Sequence, residues 1–125
     1  MSTMVNRDVR LEMFADVNFA GRRIQLRRGG VAIRDARALG FNGQLSSFRL
    51  RNVVNSRLVT LLLFSRTDFR GTMRVFRGNT NVADLADYND RMSSLIVVGR
   101  RLTDAQIETI RSTRVPPQNI LQILQ

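Results

Sequence analysis

Tyr88-Asn89-Asp90-Arg91-Met92-Ser93-Ser94, running into apolar Leu95 to Val98, has a second copy in Phe41-Asn42-Gly43-Gln44-Leu45-Ser46-Ser47, running into Phe48 to Leu50. Short polar side chains that tolerate unusual backbone angles, then paired hydroxyls, then a strand, describe a turn tied by side-chain hydrogen bonds. The same turn gathers oxygens. Asn89, Asp90 and Ser93 offer carbonyl, carboxylate and hydroxyl groups, the donor types of a hard cation such as calcium. A plain loop closure explains one copy equally well, so the second copy calls for a repeat on either side of it.

Working outward, Val9, Leu11 and Met13 alternate with Arg10 and Glu12, the period of a half-buried strand. The strand ends at Phe14-Ala15-Asp16-Val17-Asn18-Phe19-Ala20-Gly21, and Ile24 and Leu26 resume the alternation, which predicts a hairpin. Leu58 to Leu63 begins the second copy as a nearly continuous apolar run, the pattern of a strand covered on both faces. It ends at Phe64-Ser65-Arg66-Thr67-Asp68-Phe69-Arg70-Gly71, which repeats both aromatics and the glycine fifty residues on, with Met73 and Val75 taking the places of Ile24 and Leu26. Asn89 follows Asn42 by forty-seven, so the length change lies in the connections, Val31 to Gly40 and the stretch after Gly78. Asp35 to Leu39 has room for one helical turn. Two copies of one supersecondary unit behave in this way.

Each unit reads as hairpin, connection, turn and final strand, which closes most simply as a Greek key; two keys face to face make a sandwich. Key 1 spans about residues 9–52 and key 2 about 58–99, together a domain over 1–99. Gly21 and Gly71 sit where a folded-over hairpin needs backbone angles costly for any residue with a Cβ, with Phe14, Phe19, Phe64 and Phe69 packed around the bend. The tail, 100–125, is predicted to be helical. Thr103 and Gln106 form a capping pair, Leu102, Ile107 and Ile110 make a stripe, Pro116-Pro117 ends the helix, and residues 118–125 supply a second amphipathic segment. Helices this short must pack, on the same domain or across a homodimer or partner contact.

Composition narrows the chemistry. A chain of 125 residues, 43% hydrophobic, is one compact domain or two very small ones sharing a core. Cysteine and histidine are absent, which removes disulfides, thiolate sites, the usual zinc ligand and the usual general base. Lysine is absent too, so Ser46, Ser47, Ser93 and Ser94 have no activating base, and an enzyme is not expected. No apolar run is long enough for a membrane span and residues 1–10 lack a signal core, so a cytoplasmic protein is expected, with secretion open if a leader was trimmed. Twenty arginines against ten acids give +10, a field that attracts nucleic acid or another polyanion. A coding bias toward arginine explains the missing lysine better than the missing acids. Strand alternation directs Arg10, Arg23, Arg49, Arg51 and Arg74 away from the core, enough for a broad positive face.

The two hairpins, Phe14 to Gly21 and Phe64 to Gly71, resemble the aromatic-acid-aromatic-glycine hairpin of βγ-crystallin Greek keys. The stretches from Asn42 and Asn89 resemble that family's calcium motif, two Asn or Asp, two variable residues, Ser or Thr, then Ser. The resemblance covers about Val9 to Gly99. It implies an all-β fold, two Greek-key motifs forming a βγ-crystallin-like β-sandwich, with the short α-helical C-terminal extension outside it. Microbial members can hold two calcium ions per domain, each between a motif loop and a hairpin. Carried over, one site takes the Asp90 side chain, the Arg91 carbonyl, the Ser93 hydroxyl and a hairpin carbonyl near Ala15. The other keeps only Ser46, the Gln44 carbonyl and a hairpin carbonyl near Ser65, because Gly43 replaces the second Asn or Asp. Family hairpins often carry an acid where this chain has Ala15 and Ser65, so one competent site of modest affinity and one degenerate site are expected. The functions implied are a calcium-binding, or formerly calcium-binding, structural protein, or an arginine-rich polyanion binder. An inhibitor or toxin is also known on this fold, but such small secreted relatives generally use disulfides.

Overall fold

Alternating apolar residues place Val9, Leu11 and Met13 on one face of the first strand, and Phe48 and Leu50 on the same face of its neighbour; all five are fully buried. A computed structural model describes residues 8–27, 30–41, 44–88, 90–117 and, as backbone, 121–123. Its strands are β1 (Val9–Asp16), β2 (Ala20–Leu26), β3 (Val31–Ile33), β4 (Ser47–Asn52), β5 (Thr60–Arg66), β6 (Arg70–Arg77), β7 (Thr80–Val82), β8 (Ser94–Val98) and β9 (Leu121–Ile123). One helix, α1, spans Asp104–Thr113, and 3-10 turns cover Ala36–Leu39 and Ala86–Tyr88. The strands form two sheets, ordered β2-β1-β4-β7 and β6-β5-β8-β3-β9.

The sheet orders show that the keys interlock. β3 belongs to the first key by sequence yet pairs antiparallel with β8 of the second, while β7 of the second key pairs with β4 of the first. Each connection that reads as variable therefore contains a three-residue strand lent to the other key's sheet. Asp35 caps the first 3-10 turn by accepting from the Arg37 N–H, and the Arg37 guanidinium closes back on the same carboxylate. The first core, between the sheets, joins Leu11, Phe48 and Leu50 to Leu61, Leu63, Leu95 and Val97, with Phe41 and Tyr88 at the corners.

A second core lies outside the five-stranded sheet, where Leu62, Phe64, Phe69, Ile96 and Val98 meet Leu102, Ile107 and Ile110. Helix α1 is fastened at its start by the Thr103–Gln106 capping box and ends at Arg114, whose left-handed backbone lets its N–H reach the Ile110 carbonyl. The Thr60 hydroxyl, on β5, donates to the Arg100 carbonyl and accepts from the Leu102 N–H, so the sheet itself sets the helix's point of departure. The two-sided cover read in Leu58 to Leu63 is supplied by this helix.

Three expectations need correction. Met73 and Val75 do not match Ile24 and Leu26: Arg74 pairs with Leu63 and Phe76 with Leu61, so Phe76 packs on the first core and Met73 on the second. Counted at the fifty-residue offset of the hairpin glycines, Arg74 and Phe76 hold the places of Ile24 and Leu26, and because a strand's period is two, pairing Met73 and Val75 with them instead exchanges its faces. Arg74 accordingly does not point away from the core; its guanidinium lies 4.8 Å from the Tyr88 ring centroid and 3.9 Å from an Asp87 carboxylate oxygen. Finally, within the second tail segment, expected to be helical, 121–123 form β9, running parallel to β3. An edge strand with unpaired backbone groups is the competing partner there, and it outweighs the short segment's weak helical preference.

Candidate metal centre

The final strand of each key starts with a serine that closes its own hairpin. The Ser94 hydroxyl donates to the Arg66 carbonyl (2.6 Å) and accepts from the Phe69 N–H (3.1 Å). The Ser47 hydroxyl does the same with the Asp16 carbonyl (2.6 Å) and the Phe19 N–H (3.0 Å). Both hairpins turn through paired left-handed residues, Asn18 and Phe19 in one, Asp68 and Phe69 in the other, with φ near 58–59° throughout. Edge-to-face ring pairs fill the bends, Phe14 with Phe19 at 5.7 Å and Phe64 with Phe69 at 5.6 Å. Gly21 and Gly71, at φ 79° and 86°, complete them; a Cβ on Gly21 would stand 2.5 Å from an Asp16 carboxylate oxygen.

The serine one position earlier in each motif has a different task. The Ser46 N–H donates to the Phe14 carbonyl (2.9 Å), and the Ser93 N–H to the Phe64 carbonyl (2.8 Å). Each motif serine is thus held against the hairpin of its own key, with Ala15 next after the first bonded carbonyl and Ser65 next after the second. The Ser46 hydroxyl then reaches across the molecule and donates to Asp90 Oδ1 at 3.2 Å. The Asp90 N–H donates to the Leu45 carbonyl (2.9 Å), which ties the second motif loop to the first, and Asp90 adopts left-handed φ, 61°.

The sequence groups Asp90 with Ser93, and Ser46 with Gln44; in the structure the hydroxyl that meets the Asp90 carboxylate is that of Ser46. Arg91 is exposed and its N–H donates to the Tyr88 carbonyl, while exposed Gln44 donates its N–H to Phe41. The Ser93 carbonyl is taken by the Ala36 N–H, and the Ser65 hydroxyl by the Thr72 N–H at 2.8 Å. Asn42, Gly43 and Asn89 lie outside the described residues. The hairpin role of Ser47 and Ser94 is the feature sequence reasoning missed; its signal was the recurrence of a serine pair after each aromatic hairpin, across connections that differ in length by three residues.

Chemically, this corner collects oxygens from both keys. Two oxygens 3.2 Å apart can each lie about 2.4 Å from a shared calcium, subtending roughly a right angle at it, so the Ser46–Asp90 pair fits such an ion. Its negative charge is small: among the described residues no three acidic side chains cluster in reach of one ion. Below the corner sits Tyr88, whose hydroxyl donates to the Thr72 carbonyl at 2.8 Å. Burial pushes its ionisation up to about 12, against an opposing pull from Arg74 and Arg91.

Solved structures with this architecture are βγ-crystallin domains. A domain described in work on the evolution of the eye-lens βγ-crystallin fold superposes with a TM-score of 0.60 at 26% identity, covering 72% of this chain and 85% of that one. The N-terminal domain of protein S gives 0.57 at 23%, covering 74% and 99%. A βγ-crystallin domain from Clostridium beijerinckii gives 0.56 at 18%, covering 72% and 98%. No protein-family model and no curated protein matches the chain.

Proposed function

The chain is a βγ-crystallin domain in fold, and on that premise we infer that it is a non-enzymatic structural protein taking one calcium ion, weakly, at the corner between its keys. The observation that supports this is the contact of the Ser46 hydroxyl with the Asp90 carboxylate across the two motif loops. The Arg91 and Ala15 carbonyls are the proposed further ligands on the same corner, beside Asp90 and beside Ser46. The opposite corner, with Ser93 and the Gln44 and Ser65 carbonyls, is the proposed degenerate site, since Gly43 brings no side-chain oxygen. With one formal negative charge, the dissociation constant belongs in the range of roughly 10⁻⁴ to 10⁻³ M. An ion bound only by the folded state stabilises it by about 1.4 kcal/mol at ten times the dissociation constant.

Calorimetry with calcium against EDTA tests the reading. The expected result is weak heat of binding and a melting point raised by a few degrees in about 10 mM calcium. Asp90→Asn, which keeps a side-chain oxygen and tolerates the left-handed backbone, should remove the shift while leaving the calcium-free melt nearly unchanged. Gly43→Asp should add a second binding event. No heat and no shift in the unaltered protein would rule calcium out.

A further inference from the structure

The two sheets treat their outer faces in opposite ways. On the five-stranded sheet, Leu62, Met73, Ile96 and Val98 build an apolar surface under α1. The matching positions of the four-stranded sheet are Glu12, Arg23, Arg49 and Arg51, and among the described residues no helix crosses them. The core-facing residues of β1, β5 and β8 are apolar, with Arg74 on β6 the exception, so arginine composition alone does not account for which positions are basic.

The strands of this face set basic residues against one another. Arg10 on β1 stands directly opposite Arg51 on β4, and like charges facing across strands destabilise a sheet. One row along, Glu12 is shared, accepting from Arg23 at 3.0 Å and lying 4.0 Å from Arg49. Arg10, Arg23, Arg49 and Arg51 thus outnumber the acid they surround, and the face is basic on balance. The Arg49 guanidinium lies over the Phe19 ring, 4.1 Å from its centroid, which holds a planar fork at the sheet surface.

We propose that the outer face of the four-stranded sheet binds nucleic acid through its phosphates, without sequence preference. Strands about 4.8 Å apart, with side chains repeating every 6 to 7 Å along each strand, space the guanidinium groups closely. A partner must match that density. Duplex nucleic acid carries one charge per roughly 1.7 Å of axis, whereas an extended acidic peptide offers at most one per residue, half of them on the wrong side. Guanidinium forks bind phosphate bidentately. Among the described residues none of the exposed large apolar side chains lies within β1, β2, β4 or β7, which disfavours a membrane surface. Phe19 is already covered by Arg49, so base stacking is not the mode of contact. This binding is independent of the calcium reading and is measured in EDTA.

The test is fluorescence anisotropy with a labelled mixed-sequence 20-base-pair DNA duplex across a salt series. Binding is expected near 50 mM salt, with a log–log salt slope of about −3 to −4 if four phosphates are neutralised. The double variant Arg10→Glu/Arg51→Glu should lose at least about tenfold in affinity; Arg101→Glu/Arg111→Glu, with the same net charge but placed just before and within α1, should stay within about threefold. If the first variant melts early, Arg10→Gln/Arg51→Gln is read in its place. Absent duplex binding, equal losses in both double variants, stronger competition by polyglutamate than by unlabelled duplex, or retention on phosphatidylserine vesicles without duplex binding would each overturn the proposal.

Discussion

Ser94 is fully buried, and its one hydroxyl satisfies a backbone carbonyl and a backbone N–H that have little other recourse. Removing it leaves a buried donor without its acceptor, at a cost of about 1–3 kcal/mol. Ser47 makes the same two bonds, but the hairpin it holds is more open to water, Phe19 being half-buried where Phe69 is 1% exposed. Denaturant unfolding should therefore show Ser94→Ala to be more destabilising than Ser47→Ala, although the two positions look alike in sequence. Tyr88 gives a second prediction. Its folded-state ionisation lies near 12, against 10.0 for an unperturbed tyrosine, so the neutral phenol is favoured by the fold. The unfolded chain loses that proton first; stability is intact below about pH 10 and falls by up to roughly 1.4 kcal/mol per pH unit toward pH 12. Absorbance at the phenolate band should titrate near 12 in the native protein and near 10 in denaturant.

At the scale of elements, α1 is a cover rather than an appendage. Ile107 and Ile110 are 5% and 4% exposed, and their stripe meets the outer face of β5 and β8. Ile110→Ala should cost about 2–4 kcal/mol in denaturant unfolding, as buried isoleucine truncations do. A chain ending at Gly99 would uncover Leu62, Phe64, Ile96 and Val98 together, and should bind a hydrophobic dye and aggregate on warming. An unchanged oligomeric state and melting point in that shortened chain would contradict this account of the helix. The helix was legible because capping box and stripe are local signals. β3, β7 and β9 were not: three residues carry too little period to read, and each forms only because another strand's open edge lies within reach.

For the whole molecule, the exchange of β3 and β7 means that neither key can complete a sheet alone. Peptides covering 1–55 and 56–125 should each be largely unfolded by circular dichroism, and an equimolar mixture should recover β signal and a cooperative melt. Independent folding of either half would show that the lent strands are dispensable. The same exchange ties the two motif loops together, through Asp90 N–H to the Leu45 carbonyl and Ser46 to Asp90, so a perturbation of one corner is transmitted to both keys.

The order of residues by itself determined the duplication, the aromatic hairpins with their glycines, the inter-sheet core of the first key and the capped helix. All of these rest on interactions within a few positions or on strict alternation, and such features survive in a one-dimensional reading. Only the tertiary structure decided that the Ser46 hydroxyl meets Asp90, that Phe76 and not Val75 points into the inter-sheet core, and that α1 roofs the outer face of the five-stranded sheet. Those depend on which strand lies beside which and in what register, and contacts between groups some forty residues apart are chosen by packing of the assembled sheets, which no local pattern encodes.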